Sequence, residues 1–210
     1  MLHIKTVRPA TLGLIHFINS FKPLSDFHLV GGTSLALRFG HRLSIDLDYF
    51  SNVPFDPDNI QALIQEWDQF EFVSKNPIGL FVFLRKVKVD FVKHPFPLLS
   101  PIETLDGIRM FSLDDIGAMK IAAISGRAEK KDFYDLYYLC HHHKPLSALM
   151  KLFHKKYKTT SLFHIYRSLI FFDEAEDSVP PKILNKELKW PSIKKFFVKE
   201  VNALIKSGDV

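Results

Sequence analysis

Two aspartates set two residues apart, Asp46 and Asp48, lie in the apolar run Ser44-Ile-Asp-Leu-Asp-Tyr-Phe50. Read as a strand, Ile45, Leu47 and Tyr49 alternate with Ser44, Asp46 and Asp48, so one face is buried and both carboxylates share the other. Residues i and i+2 of a strand are separated by roughly 7 Å along the backbone. Like charges that close repel unless a cation or a strong donor lies between them. Hard oxygen ligands on one rigid face suit Mg²⁺, which takes one or two carboxylates and completes its shell with water and phosphate. Mn²⁺ accepts the same donors. A third carboxylate, Asp90, interrupts the alternating run KVDFV, where an aspartate opposes strand propensity. A solvent-facing position would explain it in isolation. On a strand beside Asp46 and Asp48, it would complete a metal triad or act as a general base on an incoming hydroxyl.

Gly31-Gly32, separated from that pair by thirteen residues, stands between a short apolar run (Phe27 to Val30) and a helical one (Thr33 to Phe39) closed by Gly40. Glycine amides at a helix N-terminus approach phosphate closely, and Thr33 and Ser34 add hydroxyls at the same end. Alone the pair reads as a tight turn; followed by Asp46-Leu-Asp48 it points to a nucleotide phosphate beside a metal. Arg38, His41 and Arg42 flank this segment, either as phosphate or RNA contacts or as solvated helix-end charges.

The elements that must position these groups divide the chain of 210 residues. Residues 1–105 read as an α/β half: helices over 7–22, 33–39 and 57–69, strands over 27–30, 44–50, 79–84 and 86–91, then the proline-rich HPFPLLSPIE. Residues 106–210 read as helical, from a capping pair Ser112/Asp115 through helices over 132–140, 145–157, 161–172 and 191–206, with 173–190 as a crossing loop. A hydrophobic content of 47% with 24% charged residues is ordinary for a globular chain. The single cysteine, Cys140, excludes an internal disulfide and fits a reducing compartment. No apolar run reaches the ~18 residues of a membrane span, and the N-terminus lacks a signal-peptide pattern. A cytoplasmic protein without membrane association is the expectation. The net charge of +5 gathers after residue 120, in KK at 130–131, HHHK at 141–144, HKKYK at 154–158 and KK at 194–195, and favours an anionic partner, nucleotide or RNA. His141 to His143 lack partners at metal-ligand spacing and read as surface.

The Gly-Gly, Asp-x-Asp and third-Asp arrangement resembles the nucleotidyltransferase superfamily related to DNA polymerase β. More narrowly, LVGGTSLALRFGHRLSIDLDYFS, KVDFVKHPFPLL, MFSLDDIGAMKIAAISGRAEKKDFYDLYYL and SLIFFDEAED resemble the AbiEii/AbiGii toxin family of bacterial toxin–antitoxin systems. The resemblance implies an α+β fold: a nucleotidyltransferase-like mixed β-sheet with flanking helices, followed by a helical half that completes the cleft. It implies Asp46, Asp48 and Asp90 as ligands of Mg²⁺ or Mn²⁺, and Gly31, Gly32, Thr33 and Ser34 around the triphosphate. It further implies Lys120 as a phosphate-binding cation, with Arg127, Lys130 or Lys131 (Lys131 being carried forward), Asp132 and Asp135 at the site. Of these, Asp46, Asp48, Asp90, Lys120 and Asp132 would carry the chemistry. The activity implied is transfer of a nucleotidyl group from an NTP to an acceptor such as tRNA. Its partner would be an antitoxin, usually a DNA-binding regulator. A kinase-like γ-phosphate transfer with the same carboxylates, and a decayed RNA- or protein-binding module, are the alternatives.

Overall fold

The computed structural model describes residues 1–159 and 162–207. It divides into two compact units, Met1–Ser112 and Leu113–Val210.

The first unit is a seven-stranded mixed sheet with helices. Its elements run α1 (Pro9–Ser20), β1 (His28–Leu29), α2 (Gly31–Phe39), β2 (Leu47–Ser51), α3 (Pro57–Ile64), β3 (Phe70–Asn76), β4 (Gly79–Leu84), β5 (Val87–Lys93), β6 (Glu103–Leu105) and β7 (Ile108–Met110). Pro9 and Pro57 open their helices at the first turn, where the missing N–H costs nothing. Asp56 caps α3 by accepting from the amide of Asp58 at 3.0 Å. Gly40 ends α2 in the left-handed conformation (φ +68°), as its position after the helical run predicts.

The strand order is β3-β4-β5-β2-β1-β7-β6. At its centre β2 runs parallel to β5 and antiparallel to β1. Leu47 and Tyr49 of β2 and Val89 and Phe91 of β5 are fully buried, while Asp48, Phe50, Asp90 and Val92 lie on the opposite face. α1 packs against β7 and α3 against β4, closing a core that includes Leu14, Ile15, Ile18, Leu29, Ile60 and Ile64. A polar tie crosses this core. Buried Asn19 donates from Nδ2 to the Tyr49 hydroxyl (3.0 Å) and accepts the Arg109 amide at Oδ1 (2.9 Å), joining α1, β2 and β7. Burial drives the Tyr49 phenol well above its ordinary range, outweighing the Arg109 charge and the Asn19 hydrogen bond, so it stays neutral.

Three strands are absent from the sequence reading. β3 lies at the edge, pairs only with β4 and exposes Phe72 and Val73, so no alternating buried face marks it. A register shift between Phe72 and Ser74 twists that edge. β6 and β7 form a hairpin on Asp106-Gly107, both at positive φ, a turn pair that signals a hairpin directly. Because this hairpin joins the sheet through the β1–β7 pairing, the first unit extends to Ser112 and the expected boundary at 105 is corrected by seven residues. β2 also begins later than expected. Its ladder starts at Leu47, and Ile45 is exposed rather than buried.

The second unit contains α4 (Leu113–Arg127), α5 (Lys130–His142), α6 (Leu146–Tyr157), α7 (Phe163–Ile170), α8 (Asp173–Asp177) and α9 (Trp190–Ser207). The helix expected over 161–172 corresponds to α7, its first residue lying outside the described ones. The 173–190 segment holds the short α8 rather than being loop throughout. Lys156, within the basic run HKKYK, is not a surface charge: its ammonium meets Asp115 at 2.6 Å with both side chains fully buried, joining α6 to α4. Removing one partner of such a pair strands the other charge, at a cost of about 3–5 kcal/mol. Lys156→Met is therefore expected to lower the thermal midpoint sharply by calorimetry, and Lys156→Met with Asp115→Leu to recover most of the loss. A single variant as stable as the parent would contradict this account.

Candidate active site

Register brings the first unit's carboxylates together. Asp48 on β2 stands directly opposite Asp90 on β5, on neighbouring strands about 4.8 Å apart. Both are partly buried on the face opposite the core. Asp90 Oδ2 accepts from the Lys88 ammonium at 2.9 Å, and its Oδ1 is buried without a hydrogen-bond partner. A buried carboxylate oxygen left unsatisfied is costly and marks a place for a ligand. Asp46 sits one residue before the ladder, on the Lys88 side. Desolvation acts to lower the Lys88 pKa, but the Asp90 hydrogen bond and the charges of Asp90, Asp46 and Asp48 hold it above the ordinary lysine range. Lys88 thus feels all three carboxylates. It is the charged neighbour of these carboxylates that the sequence reading missed, although its i, i+2 spacing from Asp90 was a signal.

The expected triad is not a preformed cage. Among the described residues no three His, Cys, Asp or Glu side chains gather closely enough to hold one ion. The physical reason is that strand pairing fixes Asp48 against Asp90 but begins only after Asp46. Two carboxylates and an unsatisfied oxygen still fit Mg²⁺ or Mn²⁺, which take one or two protein carboxylates and fill the remainder with water and phosphate.

The glycine turn faces this pair. Val30 donates its amide to the Asp48 carbonyl at 2.9 Å, and Gly31 follows at φ +66° as the first residue of α2. A Cβ on Gly31 would lie 2.4 Å from Asp48 Oδ2. The first amides of α2 lack intrahelical acceptors and carry the positive end of the helix dipole next to the carboxylates. The two hydroxyls expected at this turn serve elsewhere. Thr33 is buried, and its hydroxyl engages the Asp46 carbonyl and lies 2.8 Å from Ser44 Oγ. With one proton to give, it relies on Ser44 as donor in the second bond. Thr33 thereby ties the segment carrying Asp46 to α2. Ser34 is fully buried and donates to Met110 Sδ at 3.3 Å. One residue further round the helix, it points to the sheet rather than to a phosphate. Arg38 is also structural: it bonds Glu103 Oε2 at 2.6 Å and the Phe111 carbonyl at 2.8 Å. His41 and Arg42 are buried rather than solvated.

In the second unit, Lys120 on α4 lies 2.8 Å from Asp132 and 2.7 Å from Asp135 on α5, with all three side chains buried. Arg127 completes the cluster through Nε to Asp132 Oδ2 at 3.0 Å while remaining half exposed. The spacing of Asp132 and Asp135 places both on one helix face, as their three-residue separation predicts. Neither Lys130 nor Lys131 is paired to them. Lys130 reaches Glu176 on α8, and Lys131 reaches Glu129. Burial pushes the Asp132 carboxyl up, yet the Lys120 charge and the Arg127 hydrogen bond and charge prevail and hold it below the usual carboxylate range. The histidine triplet is peripheral, His143 meeting Asp114 at 2.7 Å and His141 the Tyr137 carbonyl at 2.8 Å.

The mixed sheet, with paired aspartates on neighbouring strands and a glycine-started helix facing one of them, has a fold that solved structures share. MenT4, a nucleotidyltransferase toxin from Mycobacterium tuberculosis, superposes with a TM-score of 0.61 at 15% identity over 90% of this chain and 80% of its own. JHP933 from Helicobacter pylori does so at 0.55 and 15% identity, over 98% and 91%. Residues 20–203 match the family model described as nucleotidyl transferase AbiEii toxin, type IV toxin–antitoxin system, and the chain belongs to that family. An uncharacterized protein of Aquifex aeolicus is 34% identical over 188 residues, covering 87% of this chain and 90% of its own. Membership makes the protein a nucleotidyltransferase toxin with a nucleotide substrate and a cognate antitoxin. No helix among the described residues is long and apolar enough to cross a membrane.

Two outcomes test this geometry. Gly31→Ala places a Cβ at positive φ against Asp48, costing about 1–2 kcal/mol. By displacing the carboxylate, it should also weaken Mn²⁺ binding by about 10–100-fold in a calorimetric titration; unchanged affinity would detach Gly31 from the site. In the folded protein Asp132 gives up its proton at lower pH than in the unfolded chain. Its stabilisation is therefore complete above the ordinary carboxylate range near ~4 and is lost as pH falls through the lowered folded value. Asp132→Asn should reduce the melting temperature at pH 7, with the deficit shrinking towards pH 3. A deficit independent of pH would show that the ion pairs contribute nothing.

Proposed function

We propose that this toxin transfers a nucleotidyl group from an NTP to an RNA acceptor, tRNA being the acceptor class, in a reaction that depends on Mg²⁺ or Mn²⁺. The observation that carries the reading is the in-register pair Asp48/Asp90 with the N-terminus of α2 folded onto Asp48. Asp48 and Asp90 would hold the ion, with Asp46 as the adjoining carboxylate. The ion would supply Lewis-acid stabilisation of charge on the transferring phosphoryl group. The amides of Gly31 and Gly32 orient the triphosphate, and the Asp90 oxygen that lacks a partner is the group available to an ion or to the acceptor's proton. Arg127, half exposed, would be the phosphate-binding cation of the second unit, whereas the Lys120 ammonium is buried between Asp132 and Asp135. An RNA acceptor is supported by the net charge of +5 and by exposed lysines such as Lys151, Lys155 and Lys195. The antitoxin partner is proposed to be a DNA-binding regulator, and the site of action the cytoplasm.

Incubation with total RNA and NTPs labelled separately at the α and γ positions tests the reaction. Label should enter RNA from the α position only, and Asp48→Ala should reduce it by more than about a hundredfold, since even supporting groups around metal ligands cost 10–100-fold. Label from the γ position would replace this reading with a kinase-like transfer. No labelling of RNA from either position would leave a binding module.

A further inference from the structure

We propose that Phe81 and Phe83 form a stacking platform for unpaired bases of the acceptor RNA, on the open sheet face beside Asp90. The inference rests on the transfer reading above and names where its acceptor binds. Along β4, Leu80, Val82 and Leu84 are buried in the core, while Phe81 and Phe83 between them stay partly exposed on the other face. Antiparallel pairing sets Phe81 directly opposite Asp90 and Phe83 opposite Lys88, so both rings share the face of the carboxylates. On the outer side, their β3 partners Ser74 and Glu71 are exposed. Outward positions of such a strand ordinarily carry polar side chains; two phenylalanines there suit a flat apolar partner. Unpaired bases stack on aromatic rings displayed by a sheet, while the phosphates that join them require cations. Lys88, 43% exposed along its side chain, and the exposed Lys86 of the β4–β5 turn supply that charge. Sheet order assigns the bases to the acceptor rather than to the NTP. The β2–β5 pair lies between β1, which leads into the glycine-started α2, and β4. A triphosphate held by the α2 amides reaches the carboxylates from one side, and an RNA strand stacked on β4 reaches Asp90 from the other.

The test is fluorescence polarisation of the full chain, without NTP, using a short labelled single-stranded oligoadenylate and an RNA duplex of the same length. Phe81→Leu and Phe83→Leu keep apolar bulk but remove the ring. Each should weaken single-strand binding by about tenfold, the scale of one base stacked on an aromatic ring, and leave duplex binding as in the parent. Phe81→Tyr should retain the parent's affinity, with circular dichroism melts confirming that each variant is folded. In the α-label assay the leucine variants should raise KM for RNA but not KM for the NTP. Parental single-strand affinity in both leucine variants, an equal loss for the duplex, or a parent that binds no oligoadenylate would overturn the platform, whether or not label is transferred. A raised KM for the NTP with RNA affinity preserved would overturn its assignment to the acceptor. Ring-dependent RNA binding without any transfer of label would uphold the platform and overturn the transfer reading.

Discussion

The parallel pairing of β2 with β5 is the constraint on which the first unit depends. Its register sets Leu47 against Val89 and Tyr49 against Phe91 in the core, and the same register necessarily sets Asp48 against Asp90 on the other face. A slip of β2 by one residue would turn Asp48 into the core and Leu47 and Tyr49 out of it, while β5 kept its faces. The apolar side of the sheet therefore enforces the geometry of the polar side. Two carboxylates that would otherwise repel are held adjacent by burial of apolar side chains elsewhere on the same strands, and their mutual repulsion is relieved by the Lys88 ammonium and the positive end of α2.

Around that ladder the hydroxyls and cations of the sequence motif are largely committed to holding backbone in place. Thr33 tethers the Asp46 segment, Ser34 faces Met110, and Arg38 joins α2 to β6 and to the residue after β7. This leaves main-chain amides, rather than side-chain hydroxyls, as the donors at the N-terminus of α2. Gly31 is needed there for two separate reasons, its positive φ and the closeness of Asp48. A motif that reads as a list of ligands is thus partly a list of supports.

The second unit is organised by buried charge. Lys120 is neutralised by Asp132 and Asp135, and Lys156 by Asp115. Such pairs repay their desolvation only when each charge is well matched, so they specify the packing of α4 against α5 and α6 rather than simply adding stability. Arg127, half exposed while bound to Asp132, extends this ion-pair cluster to the surface.

Much of this was determined by the sequence alone. The positions of α1, α2, β4, β5 and the helices of the second unit other than α8 follow from local periodicity, prolines and caps. Asp46, Asp48 and Asp90 follow from carboxylates set in apolar runs and Gly31 from a Gly-Gly turn ahead of a helix, whereas the site role of Lys120 follows from the family resemblance. β3 was not legible because an exposed edge strand has no buried face to alternate against, and β6–β7 were missed although Asp106-Gly107 announced their turn. What tertiary structure decided was partnership. Which strand lies beside β2, which oxygen Lys88 engages, where the Ser34 hydroxyl points and which lysine pairs with Asp132 all depend on contacts between residues distant in sequence or on the exact start of a ladder. Local propensity sets where a strand can form. Only the pairing of strands and the packing of helices sets which charges meet.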